Sequence, residues 1–244
     1  MAQQNIIRPQ LKKSPCGGFR GLFSSPLRGR SGGGSQPLFD TSQPQPPKIA
    51  EKLYFNVVWR LPRTQKTVYL TFDDGPVPYY TEYVLDILDK YSVKATFFCV
   101  GENIEKHPEI FKKLQEKGHS IGSHTYNHIK GWSTNFIKYY RNIKKAVQLA
   151  GSKLFRPPHG QIKILPALML SAKYRIIMWD VLSKDYDATI TPEECFENVR
   201  NYVRNGSIIV FHDSEKAHKN LQYALPKTIE YLKAKGYTFS IINC

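Results

Sequence analysis

The stretch VYLTFDDGPVP, Val68 to Pro78, runs through apolar, β-branched and aromatic residues and stops on two adjacent carboxylates, Asp73 and Asp74, before a glycine and two prolines. The run reads as a β-strand and the Asp-Gly-Pro that follows as its terminating turn. Both aspartates would be at home as turn residues and nothing more. Yet two like charges this close raise each other's pKa unless a cation lies beside them, so the pair asks for a positive partner from elsewhere in the chain.

Working outward, the same pattern recurs. TVYLTF, KATFFCV, HSIGSH, KLFRP, YRIIMWD, SIIVFH and YTFSIIN are strand candidates. Helical periodicity fills the intervals near 79–90, 103–117, 133–149, 161–173, 192–204 and 221–235. Alternation of this kind predicts βα units around a parallel sheet, and seven such strands predict a distorted, incomplete barrel more than an open sheet. The strands end on polar residues: Asp73 and Asp74 after the first, His124 after the third, Arg156 after the fourth, Asp180 after the fifth and His212 after the sixth. In parallel α/β folds these ends converge on the functional face, so groups dispersed in sequence should meet in space.

The chain of 244 residues, 41% of them hydrophobic, is large enough for one such domain with a substantial core. Residues 1–48 differ in kind: they are basic, rich in Gly, Ser and Pro, and have no period, which predicts a disordered extension ahead of a domain at 49–244. A formal charge of +15 favours anionic surroundings without specifying a fold. Cys16, Cys99, Cys195 and Cys244 are widely spaced and suggest neither a disulfide framework nor a thiolate metal site. The N-terminus lacks the continuous apolar segment of a secretory signal and no 18-residue apolar window exists, so a cytoplasmic location and no transmembrane segment are expected. No nucleic-acid partner is expected, and the oligomeric state is left open.

SHTYNH, Ser123 to His128, supplies His124 and His128 at i, i+4, which on a helical turn would bring two imidazoles within reach of one metal ion. Two histidines and one carboxylate form a three-ligand site that keeps a position open, as catalytic zinc sites do. The missing cation would then be a metal. One carboxylate of the Asp-Asp pair would bind it, and the neighbour, projecting elsewhere, would take the proton of a water that the metal acidifies.

Five segments, TFDDGP, SHTYNH, RPPHG, WDVLSKDY and IIVFHDS, fall in the order and approximate spacing of the motifs of the polysaccharide deacetylase (NodB-like) family, carbohydrate esterase family four, which this chain resembles from about Lys66 to Phe239. The resemblance implies a distorted, incomplete (β/α)7 barrel and a metal-dependent hydrolase removing N-acetyl, or O-acetyl, groups from an acetylated glycan. By resemblance Asp73 is the general base and Asp74, His124 and His128 hold one divalent metal ion, expected to be zinc. Arg156 pairs with the catalytic aspartate, and the backbone N–H of His159 is the oxyanion donor. His212 is the general acid, oriented by Asp185, while Trp179, Tyr186 and Val210 line the substrate and acetyl pocket.

Three positions depart from the common pattern. His159 stands where many members have tyrosine, Tyr186 where tryptophan is usual and Val210 where leucine is common; none removes a catalytic group. A rival reading is an inactive carbohydrate-binding protein on the same fold, whose signature would be loss of Asp73, Asp74, His124 or His128; all four are present. A phosphoesterase would want a two-metal cluster with more carboxylates than these motifs offer. His119 reads as a core or edge histidine, and Asp180 either as a strand-end residue supporting the site or as a direct participant in catalysis.

Overall fold

The computed structural model describes residues 43–243. Residues 1–42, most of the expected extension, lie outside the described residues, as does Cys244. Gln43 to Pro47 run along the domain, where the Leu182 N–H donates to the Pro44 carbonyl at 2.8 Å, and lead into helix α1 (Lys48–Leu53).

From there strands and helices alternate as the periodicity predicts. Strand β1 (Thr67–Asp73) is followed by α2 (Tyr80–Lys90), and β2 (Thr96–Cys99) by α3 (Gly101–Lys106) and α4 (Pro108–Glu116). Then come β3 (Ser120–Ser123), α5 (Phe136–Ala150), β4 (Leu154–Phe155) and α6 (Ile164–Ser171). Short strands β5 (Arg175–Ile176) and β6 (Val181–Leu182) precede α7 (Pro192–Tyr202), β7 (Ile208–His212), α8 (Glu215–Ala234) and β8 (Thr238–Phe239). The strand order is β5-β4-β3-β2-β1-β7-β6, all pairings parallel, with β8 pairing the first residues of β1.

This is the distorted, incomplete (β/α)7 barrel, and one stretch of sequence explains its distortion. YRIIMWD is a strand only at Arg175 and Ile176, which pair with β4 at one edge, while Val181 and Leu182, just beyond it, pair with β7 at the other. The chain thus spans the gap that a full barrel would fill with another strand. Val58 and Arg60 line that gap, bridging to Ile177 and to Ser207. Asp180, fully buried beside it, accepts hydrogen bonds from Arg60 Nη1 (3.1 Å), Arg204 Nε (2.9 Å) and Nη2 (2.6 Å), and Ser207 Oγ (2.7 Å).

The two-residue period of the strands sorts side chains between layers. Val68, Leu70 and Phe72 of β1, Phe97 of β2 and Phe211 of β7 pack outward against the helices, with Phe72 stacked on Phe97 and Phe211 at centroid distances of 5.0 and 6.2 Å. The alternate residues Thr71 and Asp73 of β1 and Val210 and His212 of β7 point the other way. Register aligns Asp73 with His212, so the two motifs end at the same level of the barrel.

Candidate active site

Arg156, at the end of β4, is completely buried inside the barrel, where a bare guanidinium would be costly. Its Nη1 donates to Asp73 Oδ1 at 2.6 Å and to Thr71 Oγ1 at 2.8 Å, Nη2 to the Met178 carbonyl at 3.0 Å and Nε to the Ile177 carbonyl at 3.3 Å. Its plane lies 4.0 Å from the Phe98 ring centroid. The cation therefore has one carboxylate partner and one fixed direction. It holds Oδ1 of Asp73 and leaves Oδ2 facing the barrel mouth, 4.0 Å from His124 Nε2.

Asp74 turns the other way because its φ is +88°, a conformation that costs a non-glycine residue about 1–3 kcal/mol and needs support. The support is a clamp. Asn103 Nδ2 donates to the Asp74 carbonyl (2.7 Å), Val100 N–H to the Gly75 carbonyl (2.9 Å) and Gly75 N–H to Asp213 Oδ1 (3.0 Å). Asp213 Oδ2 accepts from Thr81 Oγ1 at 2.6 Å, and Thr81 Oγ1 in turn accepts from Val77 N–H at 2.8 Å. Only glycine fits at 75, since a Cβ there would lie 2.0 Å from Asp213 Oδ2.

His124 and His128 do meet Asp74, though not on a helical turn. Residues 124–128 form an irregular loop reversed at Thr125 (φ +62°) and His128 (φ +56°). The first N–H groups of α3 need acceptors, and the loop supplies them through the Thr125 carbonyl to Gly101 N–H (3.0 Å) and the Tyr126 carbonyl to Glu102 N–H (2.7 Å). That exchange, with Asn142 Oδ1 accepting from Tyr126 N–H at 2.7 Å, fixes the histidines in place of helical hydrogen bonds.

His128 Nε2 lies 3.2 Å from Asp74 Oδ1 and His124 Nε2 3.9 Å from it, and one donor atom from each of the three residues falls within 4.8 Å of the others. His124 Nδ1 faces the Arg156 carbonyl at 2.8 Å; a carbonyl only accepts, so Nδ1 carries the hydrogen and Nε2 keeps its lone pair. Burial pushes the His124 pKa down to about 4, which keeps the ring neutral. Burial opposes ionisation of Asp74, but the His128 hydrogen bond and the nearby His212 charge outweigh it and hold the carboxyl well below its usual range. A neutral imidazole with its lone pair free and an ionised carboxylate are what a divalent cation requires, and these residues fit one.

Across the mouth, Asp185 accepts from both the His212 main-chain N–H and its Nδ1–H, each at 2.7 Å, which leaves Nε2 facing the cavity. Burial lowers the His212 pKa, the Asp185 carboxylate more than offsets it, and the ring is pushed up to about 9. His159 has φ +57° and its ring lies edge-on to His128 at 4.9 Å. Gly160 follows with φ +64°, packed so tightly on Trp179 that a Cβ would approach it to 2.4 Å.

A cavity of about 280 Å³ is lined by Asp73, Asp74, His124, His128, His159, Trp179, Tyr186, Val210 and His212, with Arg156 and Asp185 directly behind. Every residue expected at the site is thus in or against one cavity. Sequence reasoning missed Leu182, Gln161 and Lys216 in its wall, and Asn103 and Thr81 in the clamp beneath it. Asp213, which the sequence offers only as a carboxylate that could assist a neighbouring loop, is the centre of that clamp.

A parallel barrel whose strand ends gather carboxylates and imidazoles in this way can hold a divalent cation and move protons at one mouth. The family profile described as Polysaccharide deacetylase matches residues 60–173. A peptidoglycan-N-acetylglucosamine deacetylase of Bacillus cereus is 33% identical over 196 residues, covering 77% of this chain and 91% of the relative. The chain belongs to the polysaccharide deacetylase family, the NodB-like carbohydrate esterases of family four, hydrolases of carbon–nitrogen bonds. A crystal structure of a peptidoglycan N-acetylglucosamine deacetylase superposes with a TM-score of 0.73 at 34% identity, covering 80% of this chain and 94% of that one. A family-four pseudoenzyme from Bacillus anthracis shares the fold alone, with a TM-score of 0.68 at 23% identity over 75% of this chain and 66% of that one.

Proposed function

We propose that this protein hydrolyses the N-acetyl group of N-acetylglucosamine units in a glycan of the peptidoglycan type, with zinc held by Asp74, His124 and His128. The observation that carries the reading is the pairing of two oriented proton carriers in one cavity: Asp73 fixed by Arg156 on one side, His212 fixed by Asp185 on the other. Relatives named for the same activity support it. When bound, the metal would supply a Lewis acid that polarises the acetyl carbonyl and acidifies the attacking water.

The protein's own groups do the rest. Trp179, Leu182 and Val210 offer an apolar wall to the acetyl methyl, and the His159 main-chain N–H is the donor for the oxyanion that forms as water adds to the carbonyl. Asp73 Oδ2 takes a proton from that water. His212 Nε2, protonated at neutral pH, delivers one to the departing amine nitrogen as the C–N bond breaks, so acetate and a free amine leave.

Acetate release from N-acetylglucosamine oligosaccharides and peptidoglycan fragments, with and without chelator, tests the reading. Release that stops on chelation and returns with zinc is expected; binding of the glycan without any acetate would instead favour the inactive carbohydrate-binding alternative.

A further inference from the structure

We infer that the glycan carries a negative charge close to the acetylated sugar and that Lys216 reads it. The inference rests on the deacetylase reading and names its substrate class more narrowly. Lys216 stands in the first turn of α8 and lines the catalytic cavity beside Leu182, Tyr186 and His212. The other charged groups of that cavity are engaged: Asp73 by Arg156, Asp74 by His128, His212 by Asp185. Lys216 makes no ion pair among the described residues and is exposed to the solvent from which substrate arrives. An ammonium in that position is a specificity device: a neutral sugar offers it only hydroxyls, whereas a carboxylate or phosphate offers a full charge.

The charge distribution points the same way. The chain has 35 Lys+Arg and 20 Asp+Glu, yet residues 117–179 contain eleven of the basic residues and none of the acidic ones. That stretch supplies His124, His128, His159 and Trp179 to the cavity. Acidic residues outside the segment neutralise three of the eleven, Lys117 by Asp89, Lys145 by Glu105 and Arg156 by Asp73, while Lys138 and Arg141 make no ion pair among the described residues and stand on α5 in an open groove beside Tyr126. Such a field draws an anionic polymer toward the mouth, and Lys216 on the opposite wall then selects for charge at the reacting sugar.

The test compares three oligosaccharides of equal length: a neutral N-acetylglucosamine chain, one with carboxylate substituents and one with phosphate substituents. For each, kcat/KM of acetate release is measured for the wild type, Lys216→Gln and Lys216→Arg at low and at 1 M salt. Wild type should favour at least one anionic chain over the neutral one by about threefold to fivefold, as a partly exposed charge pair allows, and the better arm identifies the anion. The ratio should fall to about one in Lys216→Gln, survive in Lys216→Arg and fade at 1 M salt. A wild type that treats charged and neutral chains alike, or a Lys216→Gln variant that keeps the preference, overturns the inference. Equilibrium binding of the same chains reads the charge preference separately from turnover. Absence of acetate from every chain would therefore count against the deacetylase reading and leave the charge preference measurable.

Discussion

Asp73 and Asp74 are neighbours with opposite surroundings: one is nearly buried against a guanidinium, the other turned by a positive φ toward two imidazoles. The adjacency was legible in the sequence because a carboxylate pair at a strand end needs a cation, and the search for one led to SHTYNH and RPPHG. How the histidines converge was not legible, since i, i+4 spacing suggests a helical turn and the loop instead gets its shape from unpaired N–H groups of α3. His212 gives a prediction at this scale. Its raised pKa of about 9 means that the acid form persists through neutrality and is lost as pH rises through that value, so acetate release should fall on the alkaline side. The Asp185 pair likewise adds stability that is complete below the unfolded histidine pKa of about 6.5 and disappears as pH rises through about 9. Asp185→Asn removes the offsetting charge, and the alkaline limb of the pH–rate profile should move down by about one unit or more; an unmoved limb would assign the acid elsewhere.

At the scale of elements, alternation and period placed β1, β2, β3 and β7 and most helices. Two breaks escaped the pattern. The helix expected over 103–117 is two, because Pro108 disfavours helical geometry at His107, whose φ is −133°. YRIIMWD holds only the short edge strand β5, and the second edge strand, β6, begins just after it, because closing the gap between β4 and β7 takes more length than pairing with either, and a local pattern carries no information on which neighbour lies at each end. The Asp213–Thr81 clamp is likewise non-local. Thr81→Val would leave the Asp213 carboxylate and the Val77 N–H without their hydroxyl partner, at a cost of about 2 kcal/mol in denaturant unfolding, with a lower kcat as the Asp73–Asp74 turn loosens. Unchanged stability and kcat would show that the turn holds itself. Asp180 belongs to this scale too, as the anchor of Arg60, Arg204 and Ser207 at the barrel gap. Burial raises its pKa, the Arg204 and Ser207 bonds more than offset that, and the pKa is lowered overall. Its stabilisation is therefore present above the unfolded value of about 3.9 and lost as pH falls through the lower folded one. Asp180→Asn should destabilise at neutral pH by about 2 kcal/mol, and the difference from wild type should narrow toward pH 2.

At the scale of the molecule, the sheet order sets Asp73 at the centre, between His124 and Arg156 on the β3–β4 side and His212 on the β7 side. Strands that are scattered over 140 residues of sequence thereby deliver a base, an acid and a cation site to one mouth. The uneven charge of the chain is also visible only as a whole, since no single motif reveals that residues 117–179 lack acidic side chains. The central claim is a division of labour between adjacent carboxylates: Asp74 belongs to the cation and Asp73 to the proton. Bound zinc per chain, measured alongside acetate release in wild type, Asp73→Asn and Asp74→Asn, tests it directly. The account predicts about one zinc in wild type and in Asp73→Asn, with acetate release in the latter reduced by a factor of about 100 or more, and loss of both zinc and activity in Asp74→Asn. Equal zinc loss in the two variants, or an active Asp73→Asn enzyme, would contradict it.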